Sequence, residues 1–267
     1  MLGKLLKYEL RATARILLPV YLLLMVLAGL CRLFLELSAQ YDAPALGIFQ
    51  NITSLLFFLS LAGVTALSVL LMIYRFYKNL MTDEGYLMFT LPVTVDQIIW
   101  SKLLVAELWT VVTVAVDFGA VALCGAMKDL SLTDLWAAVQ EIWTTPGLPH
   151  GHLIGWLAEC AVLLLLSPLS SMLMYYAAIA VGHSFPNHKI LLSFAFYFAF
   201  SVGVQIVGSF ASMYGLIALG SDWIITETFT PDIPHAFLIS MICSSLVLCA
   251  AFYLTTRLTL KKRLNLQ

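Results

Sequence analysis

Six stretches of the chain are apolar for long enough to cross a bilayer, whose hydrocarbon core calls for about 20 such residues per helix. They are Ile16–Leu37, Ile52–Tyr74, Leu103–Met127, Leu153–Val181, Ile190–Leu219 and Phe237–Thr256. Polar residues gather between them. The pattern predicts an all-α, polytopic membrane protein with about six transmembrane helices. The fourth and fifth stretches are long and are expected to tilt or to continue as helix beyond the lipid. Pro168 is expected to kink the fourth. The first run exceeds a signal-peptide core of roughly 7–15 residues, so it is expected to stay as a helix.

Charge sets the orientation, because Lys and Arg favour the cytosolic side. With the N-terminus inside, Lys4, Lys7, Arg11, Arg15, Arg75, Lys78, Lys102, Lys189, Arg257, Lys261, Lys262 and Arg263 are cytosolic, twelve of the fourteen basic residues. Only Arg32 and Lys128 fall near the outer face. The outer loops carry Glu36, Asp42, Asp129, Asp134, Glu141, Asp222, Glu227 and Asp232. Both termini are therefore expected in the cytosol. Composition agrees: 61% of residues are hydrophobic and 11% charged, against about 25% charged in soluble domains. The net charge of −1 gives no reason to expect a nucleic-acid partner. No loop is long enough for a soluble domain, so residues 1–267 read as a single transmembrane domain.

Three segments outside the spans are expected to be ordered. In Met1–Arg15, Leu2, Leu5, Leu6 and Leu10 mark one helical face and Lys4, Lys7, Arg11 and Arg15 another. This is the pattern of an N-terminal amphipathic interfacial helix, with a bend at Pro19. In Ser131–Trp143 apolar residues recur at helical spacing, with a capping box from Ser131 and Asp134 and interfacial anchors in Trp136 and Trp143. The third segment, the connector Arg75–Lys102, is cytosolic and reads as helix, break, helix. Thr82 caps the first helix, with Asp83 and Glu84 in its first turn. Pro92 ends it, and Thr94 with Gln97 forms a capping box that opens the next span. Tyr86, Leu87, Met88, Phe89 and Leu91 make this first helix unusually apolar for a cytosolic loop. Such a patch marks either a binding site or a helix sunk into the membrane interface, and the residues alone leave both open.

The run DEGYLMFTLPVT, followed by IIWSKLL at the mouth of a span, resembles the ABC-2 type permease subunits of bacterial ABC transporters. The resemblance covers most of the chain as architecture but only Arg75–Lys102 as a motif. It implies an interfacial helix at 1–15 before six spans, and a coupling helix at Asp83, Glu84, Gly85, Tyr86, Leu87, Met88, Phe89 and Leu91 flanked by Arg75 and Lys78. It implies a separate ABC ATPase subunit as partner, a second permease subunit in a homo- or heterodimer, and a place in the bacterial plasma membrane. No Walker motif occurs in the chain. The chain is thus expected not to be an enzyme and to hold no cofactor, with ATP bound and hydrolysed on the partner. Family members often carry a re-entrant hairpin before the last span; Gly220–His235, short and polar with Pro231 and Pro234, departs from that pattern.

Charges at membrane depth are costly and often functional. Glu107, Asp117 and Glu159 fall inside spans, and Arg32 lies near the outer end of the first. They could pair structurally, Arg32 with Glu159 for instance, or line a translocation path together with Gln205. Gln205 belongs to a series of small and polar residues, Ser201, Gln205, Gly208, Ser212 and Gly215, that suits a helix seam. His150 and His152 lack a nearby third ligand, and no metal site is expected. Cys31, Cys124, Cys160, Cys243 and Cys249 form no CxxC pair and read as small buried hydrophobes. Three functions remain: an ATP-driven permease subunit, an ion-coupled carrier using Glu107, Asp117 or Glu159, and a membrane scaffold.

Overall fold

The computed structural model describes residues 2–41, 44–90, 92–125, 137, 140, 150–185, 188–226 and 232–263. Every element in it is a helix: α1 (Leu2–Gln40), α2 (Pro44–Met81), α3 (Asp83–Thr90), α4 (Val95–Cys124), α5 (His150–Gly182), α6 (Lys189–Thr226) and α7 (Asp232–Arg263). Six are long and apolar enough to span a membrane, and α3 is the exception. The chain is therefore a multi-pass membrane protein in its architecture. The Ser131–Trp143 segment lies outside the described residues apart from 137 and 140.

The helices outrun the apolar windows that predict them. α1 has 39 residues, about 58 Å at 1.5 Å per residue, nearly twice the bilayer core. It runs without interruption through the basic segment and through Pro19. Residues 2–15 are thus the first turns of the helix that continues into the first span, not a separate element. α5 likewise continues through Pro168. α6 reaches Thr226 and α7 begins at Asp232, so the described part of Gly220–His235 belongs to the flanking helices.

Two compact units emerge, divided within α2 and α4. The first comprises residues 1–74 and 104–138. On α1 the buried residues are Thr13, Leu17, Tyr21, Leu24, Ala28 and Cys31. From Leu17 onward their alternating four- and three-residue steps define one packing seam. Hydroxyls and an indole tie this seam to α4. Trp109 Nε1 donates to Thr13 Oγ1 at 2.7 Å, and Thr13 donates onward to the carbonyls of Glu9 and Leu10. The Thr113 hydroxyl donates to the Trp109 carbonyl, so Tyr21 is the donor in its 2.6 Å bond to Thr113. In lipid every polar group needs such a partner within the protein. Outward-facing positions carry Leu22, Leu23, Leu55 and Leu59, as lipid contact requires.

The second unit comprises residues 75–103 and 139–267. There α5, α6 and α7 pack on one another. Tyr176 and Phe76 are fully buried and stacked, ring centroids 3.9 Å apart. α5 and α6 meet at the turn between them. A Cβ on Gly182 would collide with the backbone N and Cα of Ser193, so only glycine allows this approach. The connector belongs entirely to this unit.

Candidate functional site: the braced connector and the polar groups at membrane depth

The connector has the helix–break–helix form expected of it, with α3 ending at Thr90 before Pro92. Leu91, expected in this helix, lies outside the described residues. At its far end the capping box is present in full: Gln97 N donates to Thr94 Oγ1 and Thr94 N donates to Gln97 Oε1, both at 3.3 Å. At its near end the expected cap differs. The Thr82 hydroxyl turns back to donate to the carbonyl of Lys78, because α2 ends only at Met81 and its last carbonyls need donors. Gly85 N instead closes the first turn of α3 on the Thr82 carbonyl at 2.8 Å.

Both ends of the connector are held. Lys78 Nζ lies 3.2 Å from Glu84 Oε1, linking the end of α2 to α3. Gly85 is buried against α2, where a Cβ would stand 2.7 Å from the Leu80 carbonyl oxygen; a side chain there would push α3 away. At the start of α4, Asp96 Oδ1 accepts from Tyr253 Oη at 2.7 Å and from Arg257 Nε at 2.8 Å, both on α7. Trp100 packs on the Tyr253 ring. Of the eight residues expected to couple, Met88 is half-buried and Glu84 is exposed.

Next to α3 a cavity of about 780 Å³ opens between Tyr77, Met81 and Thr82 of the α2 end and His188, Lys189 and Phe194 of α6. His183 forms one wall, its ring edge-on to Tyr77. Ser193 spends its proton on the Lys189 carbonyl, so His183 Nδ1–H donates both to the Ile179 carbonyl at 3.0 Å and to Ser193 Oγ at 3.2 Å. Burial pushes the His183 pKa down, and nearby Lys189 adds to this; the bond to Ile179 opposes it.

The four expected translocation residues are divided between the two units. Glu107 and Asp117 belong to the first unit, Glu159 and Gln205 to the second. Neither carboxyl oxygen of Glu107 has a hydrogen-bond partner among the described residues. Asp117 Oδ2 accepts from Thr65 Oγ1 at 2.8 Å, while its buried Oδ1 accepts nothing from the described residues. Gln205 faces outward from α6. The Arg32–Glu159 pair is replaced by two others. Arg32 binds Glu36 one helical turn away at 3.0 Å. Glu159 Oε1 binds His235 Nδ1 at 2.7 Å, and His235 Nε2 lies 3.1 Å from His152 Nδ1.

Three groupings escape sequence reasoning: Asp96 with Tyr253 and Arg257, His183 with Ser193, and Glu159 with His235 and His152. The first joins residues 157 positions apart. Only the nearby pair His183 and Ser193, ten positions apart across one turn, had a local signal. Of the cysteines, Cys160 and Cys243 face outward, while Cys31, Cys124 and Cys249 are buried as expected.

No family model, curated protein or solved structure matches this chain.

Proposed function

We propose that this chain is the membrane-spanning permease subunit of an ATP-driven transporter of the ABC-2 type, probing no chemistry of its own and coupled through α3 to a separate ABC ATPase. The observation that carries the reading is the bracing of the connector at both ends. Lys78–Glu84 and the Gly85–Leu80 approach tie α3 to α2, and Asp96 ties the start of α4 to Arg257 and Tyr253 of α7. A docking helix moves membrane helices only if it is stiffly joined to them. In this reading the apolar residues of α3 dock on the ATPase, which closes on ATP and moves the connector as a lever. A second permease subunit completes the path, and export is the direction. The basic first turns of α1 lie at the lipid headgroups of the inner face of a bacterial plasma membrane, and both termini are cytosolic, as the Lys and Arg distribution argues.

The test is the double substitution Leu87→Asp, Phe89→Asp. It is expected to abolish co-purification of the ATPase while the chain still inserts in the membrane. Retained association at wild-type level contradicts docking through α3.

A second reading, an ion-coupled carrier, is favoured by one observation. Glu159, His235 and His152 form a hydrogen-bonded chain of titratable groups inside the second unit, of the kind that relays protons in transporters. Transport that depends on Glu159 and His235 and persists without any ATPase would establish it.

A further inference from the structure

The first unit holds a pair of cysteines that neither reading uses. Cys31 on α1 and Cys124 at the end of α4 are 93 positions apart in sequence, yet their sulfurs lie 2.9 Å apart. Both residues are buried, exposed by 1% and 4%. Ser54 of α2 places its hydroxyl 3.7 Å from the Cys31 sulfur. The separation discriminates between uses of such a pair. Two thiolates sharing a tetrahedral zinc ion, with bonds of about 2.3 Å, sit about 3.8 Å apart, so these sulfurs are too close for a shared metal. They are also closer than two sulfurs that merely pack. A small approach along the line between them forms a disulfide of about 2.05 Å.

A route to the pair exists. Cys124 lines a cavity of about 460 Å³ with Arg32, Glu36, Ser38, Gln50 and Gly125. Leu35, Ala39 and Ala122 complete its mixed lining, and the cavity gives a small oxidant access to a sulfur that is otherwise enclosed.

We propose that Cys31 and Cys124 are an oxidisable pair whose disulfide staples α1 to α4. One thiolate attacks a sulfur of an oxidant disulfide, forming a mixed disulfide and expelling a thiolate. The second cysteine attacks the bonded Cys sulfur, closing the Cys31–Cys124 bond and expelling the other. Two electrons and two protons pass from the pair to the oxidant, which leaves as two thiols. In the orientation proposed above, both cysteines lie towards the outer face, where disulfides persist. The staple would hold together two helices that the Thr13–Trp109 and Tyr21–Thr113 bonds already join further along.

The test uses the intact protein in its membranes and does not depend on orientation. Membranes are treated with diamide, a membrane-permeant azo compound that takes two electrons and two protons from a thiol pair. They are then quenched in acid, denatured, and labelled with a polyethylene-glycol maleimide that counts free thiols by gel shift. Of the five cysteines, three are expected to label, and all five after reduction. Cys31→Ser and Cys124→Ser are each expected to label at all four remaining cysteines with or without reductant. Because labelling follows denaturation, a poorly folded variant also reads out as four; the wild-type result decides, with mass spectrometry required to find one cross-linked peptide containing both residues. Five labels on diamide-treated wild type, or a cross-link between any other cysteines, overturns the proposal.

Discussion

Asp96 and Glu107 sit on the same helix, and their surroundings could hardly differ more. Asp96, at the start of α4, accepts hydrogen bonds from a tyrosine and an arginine of α7. Glu107 accepts none from the described residues. A satisfied carboxylate at the mouth of a span is a fastener, because its energy is realised only while both helices hold their places. An unsatisfied one further along the helix detracts from stability and is retained only if something else requires it. The contrast fits the proposed coupling role of the connector and sets Glu107 apart from it. Asp117 falls between the two, with one oxygen bonded to Thr65 and the other without a hydrogen bond from the described residues.

That contrast can be broken at several points. The largest effect is expected from Phe76, fully buried against Tyr176 at the root of the connector. Phe76→Ala leaves a cavity and is expected to cost about 3–5 kcal/mol, read as a large fall in the melting temperature of the solubilised protein. A loss below about 1 kcal/mol would mean that the stack does not anchor this unit. Next comes Glu107→Leu, which removes a carboxyl with no hydrogen-bond partner among the described residues. It is expected to raise stability by about 1–3 kcal/mol. If transport falls as stability rises, the carboxylate belongs to the path; if stability falls, Glu107 is held by partners beyond the described residues.

Smaller still is the fastener itself. The Asp96 and Arg257 side chains are 36% and 44% exposed, so solvent screening holds the pair to roughly 0.2–1 kcal/mol. Asp96→Asn and Arg257→Ala are expected to leave the melting temperature almost unchanged and, under the proposed permease function, to uncouple ATP hydrolysis on the partner from transport. A double-mutant cycle on stability, set beside one on coupling, separates the two roles.

His183 gives the mildest effect. Burial lowers its pKa in the folded protein, so the unfolded chain binds the proton more readily. Its contribution to stability is complete above the unfolded histidine value of about 6.5 and is lost as pH falls through the lower folded value. Melting temperature is expected to drop between about pH 8 and about pH 5, and His183→Gln to flatten that slope. An unchanged slope removes His183 from the account.

The parts legible in sequence were those with local causes. Six apolar windows announced six spanning helices, Pro92 announced the break, and Thr94 with Gln97 announced the start of α4, because each signal lies within a few residues of its effect. Helix lengths were less legible. Hydropathy ends where Lys4–Arg15 begins, yet nothing in that segment stops a helix, and α1 runs through it. Thr82 is ambiguous in sequence for a related reason: a hydroxyl between two helices can serve the one behind it or the one ahead, and it serves Lys78 behind. Least legible were the partners of Asp96, Glu159 and Arg32. A charge announces that it needs a partner but not which, and Arg32 chose Glu36 on its own helix over Glu159. Leu87 and Phe89 stand out in sequence by being apolar where solvent is expected, and that signal suits both docking and the membrane interface.

The most direct test of the central claim is to tag the chain, solubilise it gently from its native membranes, and identify what accompanies it in stoichiometric amount. The account predicts a partner carrying a Walker motif, lost with Leu87→Asp, Phe89→Asp and kept with Glu107→Leu. Intact chain recovered with no such partner would contradict it, and would favour an ion-coupled carrier working through Glu159, His235 and His152.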